Sequence, residues 1–195
     1  MTKNESHQKI CCITGRRPSG FPWTYGDNMH TAVYKQRLRQ VLALLIEQEG
    51  ISHFLSGGAQ GVDLDAAESV LSLRENHPTL VHTLVLPYEN QGGRYALTDK
   101  KRHEGVQSSS LVVCVGQEYT PWCMQRRNEY MVDAADLVIA FVSGEKKGGT
   151  FNTVRYAKRK QVPVYLFDLA DCLTLSAEDW LQKAKNYESK QLEII

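Results

Sequence analysis

Short apolar segments alternate with amphipathic segments along most of the chain, and this alternation restricts the fold more than any other feature. The apolar segments are rich in Val, Ile and Leu and too short for buried helices, which is typical of strands in a parallel sheet. Between them, Tyr34, Leu38 and Leu45 share one helix face, and Gly50 follows as the terminating residue. The pattern predicts strands at 9–14, 52–56, 80–86, 111–115, 137–142 and 162–167, and helices at 31–49, 62–75, 98–108, 123–134 and 150–160.

Strands that are apolar on both faces and separated by helices predict a parallel sheet with helices on both sides. We therefore expect an α/β fold, a Rossmann-like three-layer sandwich with a mostly parallel sheet of six or more strands. The sequence shows no linker or repeat, so we expect one domain over residues 1–195 with its core at about 9–167. The acidic tail, 168–195, is predicted to be helical at 176–188. Whether it packs on the sheet or serves a partner stays open.

The composition excludes several classes of protein. Hydrophobic residues make up 42% and charged residues 23%, which favours a globular chain over a disordered one. Lys and Arg number 23 against 22 Asp and Glu, and this net charge of +1 argues against a surface built wholly for DNA or anionic membrane. No segment approaches the ~20 apolar residues of a membrane span, and the N-terminus is unlike a signal peptide. We expect a cytoplasmic protein.

The cysteines and histidines predict neither disulfides nor a metal. The five cysteines are odd in number and lack CxxC spacing, and the six histidines are scattered without metal-ligand spacing. Cys11, Cys12 and Cys114 lie in apolar runs, where a cysteine is usually a small core residue.

Ligands of open parallel sheets bind beyond the carboxyl ends of the strands, so the segments that follow the strands are the informative ones. Arg16 and Arg17 follow the first strand after Gly15. A Gly57-Gly58-x-x-Gly61 loop and a Gly148-Gly149-Thr150 turn each lead into a predicted helix, where free backbone N–H groups favour an anion. The segment 87–91 follows the third strand. Together these features predict a site for a phosphorylated ligand, most simply a nucleotide.

Several residues keep two interpretations. Asp63 either accepts a hydrogen bond from a ribose hydroxyl or only places a negative charge favourably at the positive end of the helix dipole. Phe21, Trp23 and Tyr25 either stack on a base or cover the sheet, and we favour covering. The basic residues 158–160 either end a solvated helix or contact nucleic acid, and we favour the helix end.

The motifs TGRRP, SGGAQGVD, LPYENQ, RRNEYMVDAADLVIAFVSG and GGTFNTVRYAKRKQVPVY occur in that order, over about residues 10–167. In this order they resemble the SLOG superfamily, which includes DprA, the Lonely Guy enzymes and the YpsA-like proteins, and most of all its YpsA-like branch. The resemblance implies a Rossmann-like fold that binds nucleotides or derivatives such as ADP-ribose, with no required cofactor, and a homodimer. It also implies a ligand set of Gly15, Arg16, Gly57, Gly58, Ala59, Gly61, Asp63, Arg127, Asn128, Asp133, Gly148, Gly149 and Thr150.

Arg127 and Met131 match the arginine-x-x-x-methionine helix of the Lonely Guy enzymes, in which the arginine helps catalysis. Arg127 is therefore the one catalytic candidate that the resemblance implies. Those enzymes have paired glutamates after their glycine–threonine turn, whereas this chain has Phe151, Asn152 and Thr153. An amide cannot replace a carboxylate as a general base. Other carboxylates that could substitute are Glu129, Asp133 and Glu145.

Three functions follow from these observations. The first, which we favour, is a sensor or regulatory module that holds a nucleotide-derived ligand. The second is a nucleotide N-glycosidase or phosphoribohydrolase with altered catalytic residues. The third is a DprA-like binder of single-stranded DNA, which would need a basic groove with stacking aromatics. The missing glutamate and the near-neutral charge place the second and third below the first.

Overall fold

A sheet of parallel strands forms the centre of this protein, of which a computed structural model describes residues 8–144 and 146–191. The strands in these residues are β1 Lys9–Gly15, β2 Ile51–Ser56, β3 Val81–Leu86, β4 Leu111–Cys114, β5 Leu137–Val142 and β6 Val164–Asp168. The six strands are all parallel and lie in the order β4-β3-β2-β1-β5-β6. The α/β fold and the parallel sheet predicted from the sequence are confirmed.

Helices cover both faces of the sheet. On one face, Cys11 and Ile13 of β1 join a core with residues of the first, second and last helices, and Leu84 of β3 packs with the second and third. On the other face, Cys12 packs with residues of the fourth and fifth helices. The helices are α1 Met29–Glu49, α2 Val62–Leu73, α3 Leu97–Ser109, α4 Cys123–Asp133, α5 Gly149–Arg159 and α6 Ala177–Gln191.

Local signals set the ends of α1. The Asn28 side chain accepts a hydrogen bond from the N–H of Thr31, so the helix begins two residues before the predicted start. At the other end Gly50 adopts a φ of 68°, and its N–H bonds to the carbonyl of Leu45. Glycine takes this left-handed conformation at little cost, which is why the sequence locates this end well.

The prediction that every strand is buried on both faces is wrong for β4. Leu111 is 60% and Val112 43% exposed, and Cys114 is exposed rather than a core residue. The physical reason is that β4 lies at an edge of the sheet and, unlike β6 at the other edge, contributes no side chain to the hydrophobic clusters of the described residues. Hydropathy alone does not reveal the order of strands in a sheet.

The acidic tail completes the hydrophobic core. Trp180 of α6 is fully buried, contacts the rings of Phe141 and Phe167, and donates its Nε1 hydrogen bond to the carbonyl of Asp168 at 2.9 Å. The core therefore extends beyond residue 167, where the sequence analysis ended it. This answers the open question about the tail, which packs against the sheet. No helix within 8–144 and 146–191 is long and apolar enough to cross a membrane.

Candidate functional site

A pocket of about 250 Å³ lies at the carboxyl end of β1. The chain runs from β1 outward through β2, β3 and β4, and then returns to place β5 on the other side of β1. Such a reversal of strand order opens a crevice, and open α/β sheets bind their ligands there. We call this the inner pocket. Its lining residues are Thr14, Gly15, Arg16, Arg17, Ser19, Gly20, Ala59, Asp63, Met124, Arg127, Asn128, Gly149 and Thr150.

The structure brings together eight of the thirteen residues in the implied ligand set. Four of the other five are glycines that build or support the nearby loops, and the fifth is Asp133. The eight are Gly15, Arg16, Ala59, Asp63, Arg127, Asn128, Gly149 and Thr150, whereas Gly57, Gly58, Gly61, Gly148 and Asp133 do not line the pocket.

Asp133 lies away from the inner pocket because of the geometry of α4. It is the last residue of the helix and is exposed, where it accepts hydrogen bonds from the Tyr156 hydroxyl and pairs with Lys160 at 3.0 Å. Arg127 precedes it by six residues, which is about 9 Å along a helix axis. The basic residues 158–160 lie at the end of α5, as favoured from the sequence, and Lys160 also stacks over Tyr156.

The glycine loop before α2 directs its backbone N–H groups to acceptors within the protein. The N–H of Val62 bonds to the carbonyl of Arg16 at 3.2 Å, and that of Leu64 to the carbonyl of Ala59 at 3.1 Å. The backbone amides of Ala59 and Gly57 favour the ionised carboxylate of Asp63 and act to lower its pKa, against the larger effect of burial, which raises it. The anion held by this loop is therefore a side chain of the protein itself.

Gly61 makes the close approach of this loop to β1 feasible. Its φ is 88°, and a Cβ atom there would lie 2.6 Å from the carbonyl oxygen of Arg16. The bond from Val62 N–H to the same oxygen depends on this contact. Gly61 thus has a structural role behind the pocket rather than a position in its lining.

The N-terminus of α5 differs from that of α2. The first hydrogen bond of the helix joins the N–H of Asn152 to the carbonyl of Gly148. The N–H groups of Gly149, Thr150 and Phe151 precede that bond and have no acceptor within the helix. Gly148 has no side chain to cap them. Gly149 and Thr150 line the inner pocket, so this helix end directs positive potential into it.

Arg127 is the charged centre of the site. It is only 4% exposed, and its Nη1 donates a hydrogen bond to the carbonyl of Gly57. The nearest carboxylate described is that of Asp63, 3.9 Å from Nη1. Within 8–144 and 146–191, the Nε of Arg127 has no hydrogen-bond partner. Burial lowers the pKa of Arg127 and raises that of Asp63, because their mutual attraction does not compensate for the loss of water.

The two arginines after β1 have different roles. Arg16 donates hydrogen bonds to the carbonyls of Ser143, at 2.7 Å, and Lys147, at 3.2 Å, and so fixes the loop between β5 and α5. Arg17 is exposed and lines the inner pocket. The ligand set implied by the resemblance contains Arg16 and omits Arg17, although the arginine pair in the sequence pointed to both.

The positions that follow Thr150 carry no carboxylate. Asn152 is exposed, and its side chain accepts a hydrogen bond from Arg155. Thr153 is buried, where it accepts a bond from Asn128 and donates one to the carbonyl of Gly149. Neither Glu129 nor Asp133 lines the inner pocket, and Glu145 lies outside the described residues.

A second cluster of buried polar groups supports the loop from the other side. Gln91 and Arg127 both donate to the carbonyl of Gly57, and the Tyr95 hydroxyl donates to the carbonyl of Gly58 at 3.3 Å. His103 packs against Gly58 and Tyr95. The sequence analysis placed Gln91 at this edge of the sheet but gave it no role. The LPYENQ segment is the signal that could have assigned one.

The aromatic residues of the loop after β1 cover the sheet, as favoured from the sequence. Phe21 is 8% exposed and packs edge-on against Tyr34 of α1. Trp23 and Tyr25 pack against the same core, and the Tyr25 hydroxyl bonds to Asp65. In the part of the chain that the structure describes, no three His, Cys, Asp or Glu side chains lie close enough to hold a metal ion.

Comparison with known proteins agrees with this architecture. A family model described as the YspA SLOG family matches residues 11–172. The uncharacterised SPbeta prophage-derived protein YoqJ of Bacillus subtilis is 32% identical over 138 residues, which cover 64% of this chain and 80% of YoqJ. The UPF0398 protein YpsA of the same organism is 24% identical over 178 residues, which cover 88% of this chain and 98% of YpsA.

Among solved structures, DNA processing protein A (DprA) from Streptococcus pneumoniae superimposes with a TM-score of 0.57. The superposition covers 94% of this chain and 56% of the DprA chain, so this chain spans little more than half the length of DprA. Because the two sequences are only 14% identical, the likeness shows the fold alone. With the match over residues 11–172, these findings establish that the chain belongs to the YspA SLOG family.

Proposed function

We propose that the inner pocket binds the phosphate-bearing part of a nucleotide, and that the protein is a nucleotide-responsive binding module. The observation that carries this proposal is Arg127, a buried guanidinium whose Nε has no partner in the described part of the chain. A buried cation with an unsatisfied N–H is costly to fold, and an anionic ligand would remove that cost.

The phosphate position that we propose is the start of α5. The amides of Gly149 and Thr150 and the Thr150 hydroxyl are donors, and the helix dipole favours negative charge there. Arg17 adds an exposed cation at the mouth of the pocket. The start of α2 is a poorer position, because its amides already bond to protein acceptors and the Asp63 carboxylate would repel a phosphate.

Asp63 and Asn128 are the groups that we assign to the sugar. Both line the inner pocket, and a carboxylate or amide oxygen accepts hydrogen bonds from ribose hydroxyls. The pocket volume of about 250 Å³ lies just below the usual range for ligand sites, which suits a ribose phosphate with its base outside.

Binding rather than hydrolysis is supported by the chemistry of the lining. Asn152 and Thr153 occupy the positions that would carry the Lonely Guy glutamates, and neither ionises. A hydrolase would have to use Asp63, which the folded loop already holds through Gly57 and Ala59. Analysis of nucleotide mixtures for released base separates the two functions, and release that is lost in Asp63→Asn would favour the enzyme.

A thermal-shift panel tests the proposal, with AMP, other mononucleotides, cyclic nucleotides, NAD, ADP-ribose and a short single-stranded DNA as probes. A ligand at ~100 times its Kd adds about 2.7 kcal/mol. For a domain of this size the melting temperature rises by roughly 5–10 °C. We expect such a shift with nucleotides and its loss in Arg127→Met and Arg17→Ala. Arg39→Ala, which changes a distant arginine on α1, is the matched control.

Two outcomes would contradict the proposal. One is a panel in which no nucleotide shifts the melting temperature. The other is a shift that persists in both arginine variants. Arg127 is buried, and its substitution could impair folding. Arg17 is exposed, so Arg17→Ala tests the proposal in a protein whose folding should not be affected. The homodimer implied by the resemblance stays a prediction, which sedimentation velocity of the purified chain tests.

A further inference from the structure

A second, outer pocket adjoins the inner one. It is lined by Pro121, Trp122, Met124, Gln125, Asn128, Gly149, Asn152, Arg155 and Arg159. Met124, Asn128 and Gly149 line both pockets, so the two pockets adjoin at the start of α5, and we call them together the cleft. A ligand at the α5 N-terminus would therefore extend into the outer pocket.

The cleft is strongly cationic although the chain is nearly neutral. Across both pockets the charged lining residues are five arginines and one aspartate, against a net charge of +1 for the whole protein. The inner pocket contributes Arg16, Arg17, Arg127 and Asp63, and the outer pocket contributes Arg155 and Arg159. This concentration of positive charge exceeds what one phosphate requires and provides a second position for an anion.

Arg155 has donors available at that second position. Its Nη1 bonds to Asn152 at 3.1 Å and its Nη2 to the carbonyl of Lys146 at 3.0 Å. These bonds use two of the five N–H groups of a guanidinium, and they hold the side chain in place against the first turn of α5. A fixed guanidinium with remaining N–H groups is suited to a phosphate.

Trp122 supplies an aromatic surface at the same pocket. It immediately precedes α4 and is 73% exposed, which is unusual for the largest apolar side chain. Of the described residues, it is the one aromatic side chain that lines either part of the cleft. An exposed indole beside arginines is an arrangement on which a base stacks.

We propose that the ligand class of this cleft is a nucleoside diphosphate that carries a second sugar on its distal phosphate. Its base stacks on Trp122, Arg155 and the α5 N-terminus bind the two phosphates, and the second sugar reaches Asp63 and Asn128. This inference rests on the proposed function, since the inner pocket must first bind a phosphate. A mononucleotide fills only one of the two anion positions. A nucleic-acid strand would require further stacking aromatics along the groove, whereas the cleft has one.

Isothermal titration of the full chain with AMP and with ADP tests the inference. We expect ADP to bind at least tenfold more tightly than AMP. Arg155→Ala should remove most of that difference, and Trp122→Ala should weaken ADP binding roughly 5- to 150-fold, the range for loss of one base–aromatic stack. Tyr119→Ala is the matched control, because Tyr119 is 67% exposed and lines neither pocket.

The outcomes separate this inference from the proposed function. If AMP and ADP bind equally and Trp122→Ala binds like the wild type, the outer pocket is not used and the inference fails while nucleotide binding stands. If neither nucleotide binds, both fail. If a single-stranded oligonucleotide binds more tightly than ADP, with a steep salt dependence that Trp122→Ala and Arg155→Ala reduce, the cleft is a strand-binding groove and the inference is overturned.

Discussion

Replacing Gly57 by alanine tests the packing that holds Arg127 in the site. A Cβ atom at this position would overlap Nη1 and Cζ of Arg127 and lie 2.8 Å from its Nη2. Arg127 is 4% exposed and its Nη1 bonds to the carbonyl of Gly57, so the added methyl group must displace the guanidinium from that carbonyl toward the inner pocket that Arg127 lines. Gly57 has no positive φ, so the effect is steric rather than conformational.

The expected magnitude follows from two contributions. Overpacking a buried site costs about 1–3 kcal/mol. Loss of the bond between Arg127 and the carbonyl of Gly57 adds about 1–2 kcal/mol. We expect Gly57→Ala to lower the free energy of unfolding by about 2–5 kcal/mol, or roughly 4–20 °C in melting temperature. Urea denaturation and a thermal melt measure this, and titration with AMP should show weaker binding.

Gly105→Ala is the matched control. A Cβ atom at Gly105 meets nothing within 4 Å, and the residue is exposed in the middle of α3. This change should raise the free energy of unfolding by about 0.5–1 kcal/mol, since alanine favours a helix. If Gly57→Ala unfolds at the same urea concentration as the wild type and binds AMP equally well, Arg127 does not occupy the position we describe.

Three further predictions concern the core, the pH dependence and the limits of the site. Trp180→Ala should lower the free energy of unfolding by about 3–5 kcal/mol in urea denaturation, and an effect under 1 kcal/mol would show that the tail is not part of the core. Burial of His82 lowers its pKa from 6.5 to about 3, so the unfolded chain takes up a proton that the folded chain refuses. The contribution of neutral His82 to the free energy of unfolding is therefore fully present above pH 6.5. It falls by up to about 1.4 kcal/mol per pH unit as the pH drops from 6.5 to 3. Urea denaturation at a series of pH values should show a smaller loss of stability on acidification in His82→Asn than in the wild type. Asp133→Asn should change AMP affinity by less than about twofold, because Asp133 is outside the pocket, and a large loss would restore it to the ligand set.

The fold was predictable to the extent that hydropathy determines it. Continuous apolar runs identified the six strands, and Gly50 located a helix end, because each depends on nearby residues alone. The environment of β4 and the packing of Trp180 were not predictable in this way. Both depend on which strand lies at the edge of the sheet and which helix returns to cover it, and the pattern within a segment carries no such information.

The candidate site was predictable at the level of loops and less so at the level of side chains. Gly149 and Thr150 were expected at this edge because they begin the helix that follows a strand, and both line the inner pocket. Asp133 does not line the inner pocket, and the sequence did not reveal this because a motif shows sequence spacing and not the distance along a helix. The division of roles between Arg16 and Arg17 depends on where adjacent side chains point, and the sequence could not distinguish them.

The central claim is that a nucleotide phosphate binds at the start of α5 beside Arg127, and backbone amide chemical shifts of the ¹⁵N-labelled protein test it most directly. On titration with AMP, we predict that the largest shifts occur at the amides of Gly149 and Thr150, with smaller shifts at Arg17. Saturating AMP that leaves these amides unchanged, or shifts confined to another surface such as residues 22–25, would contradict the claim.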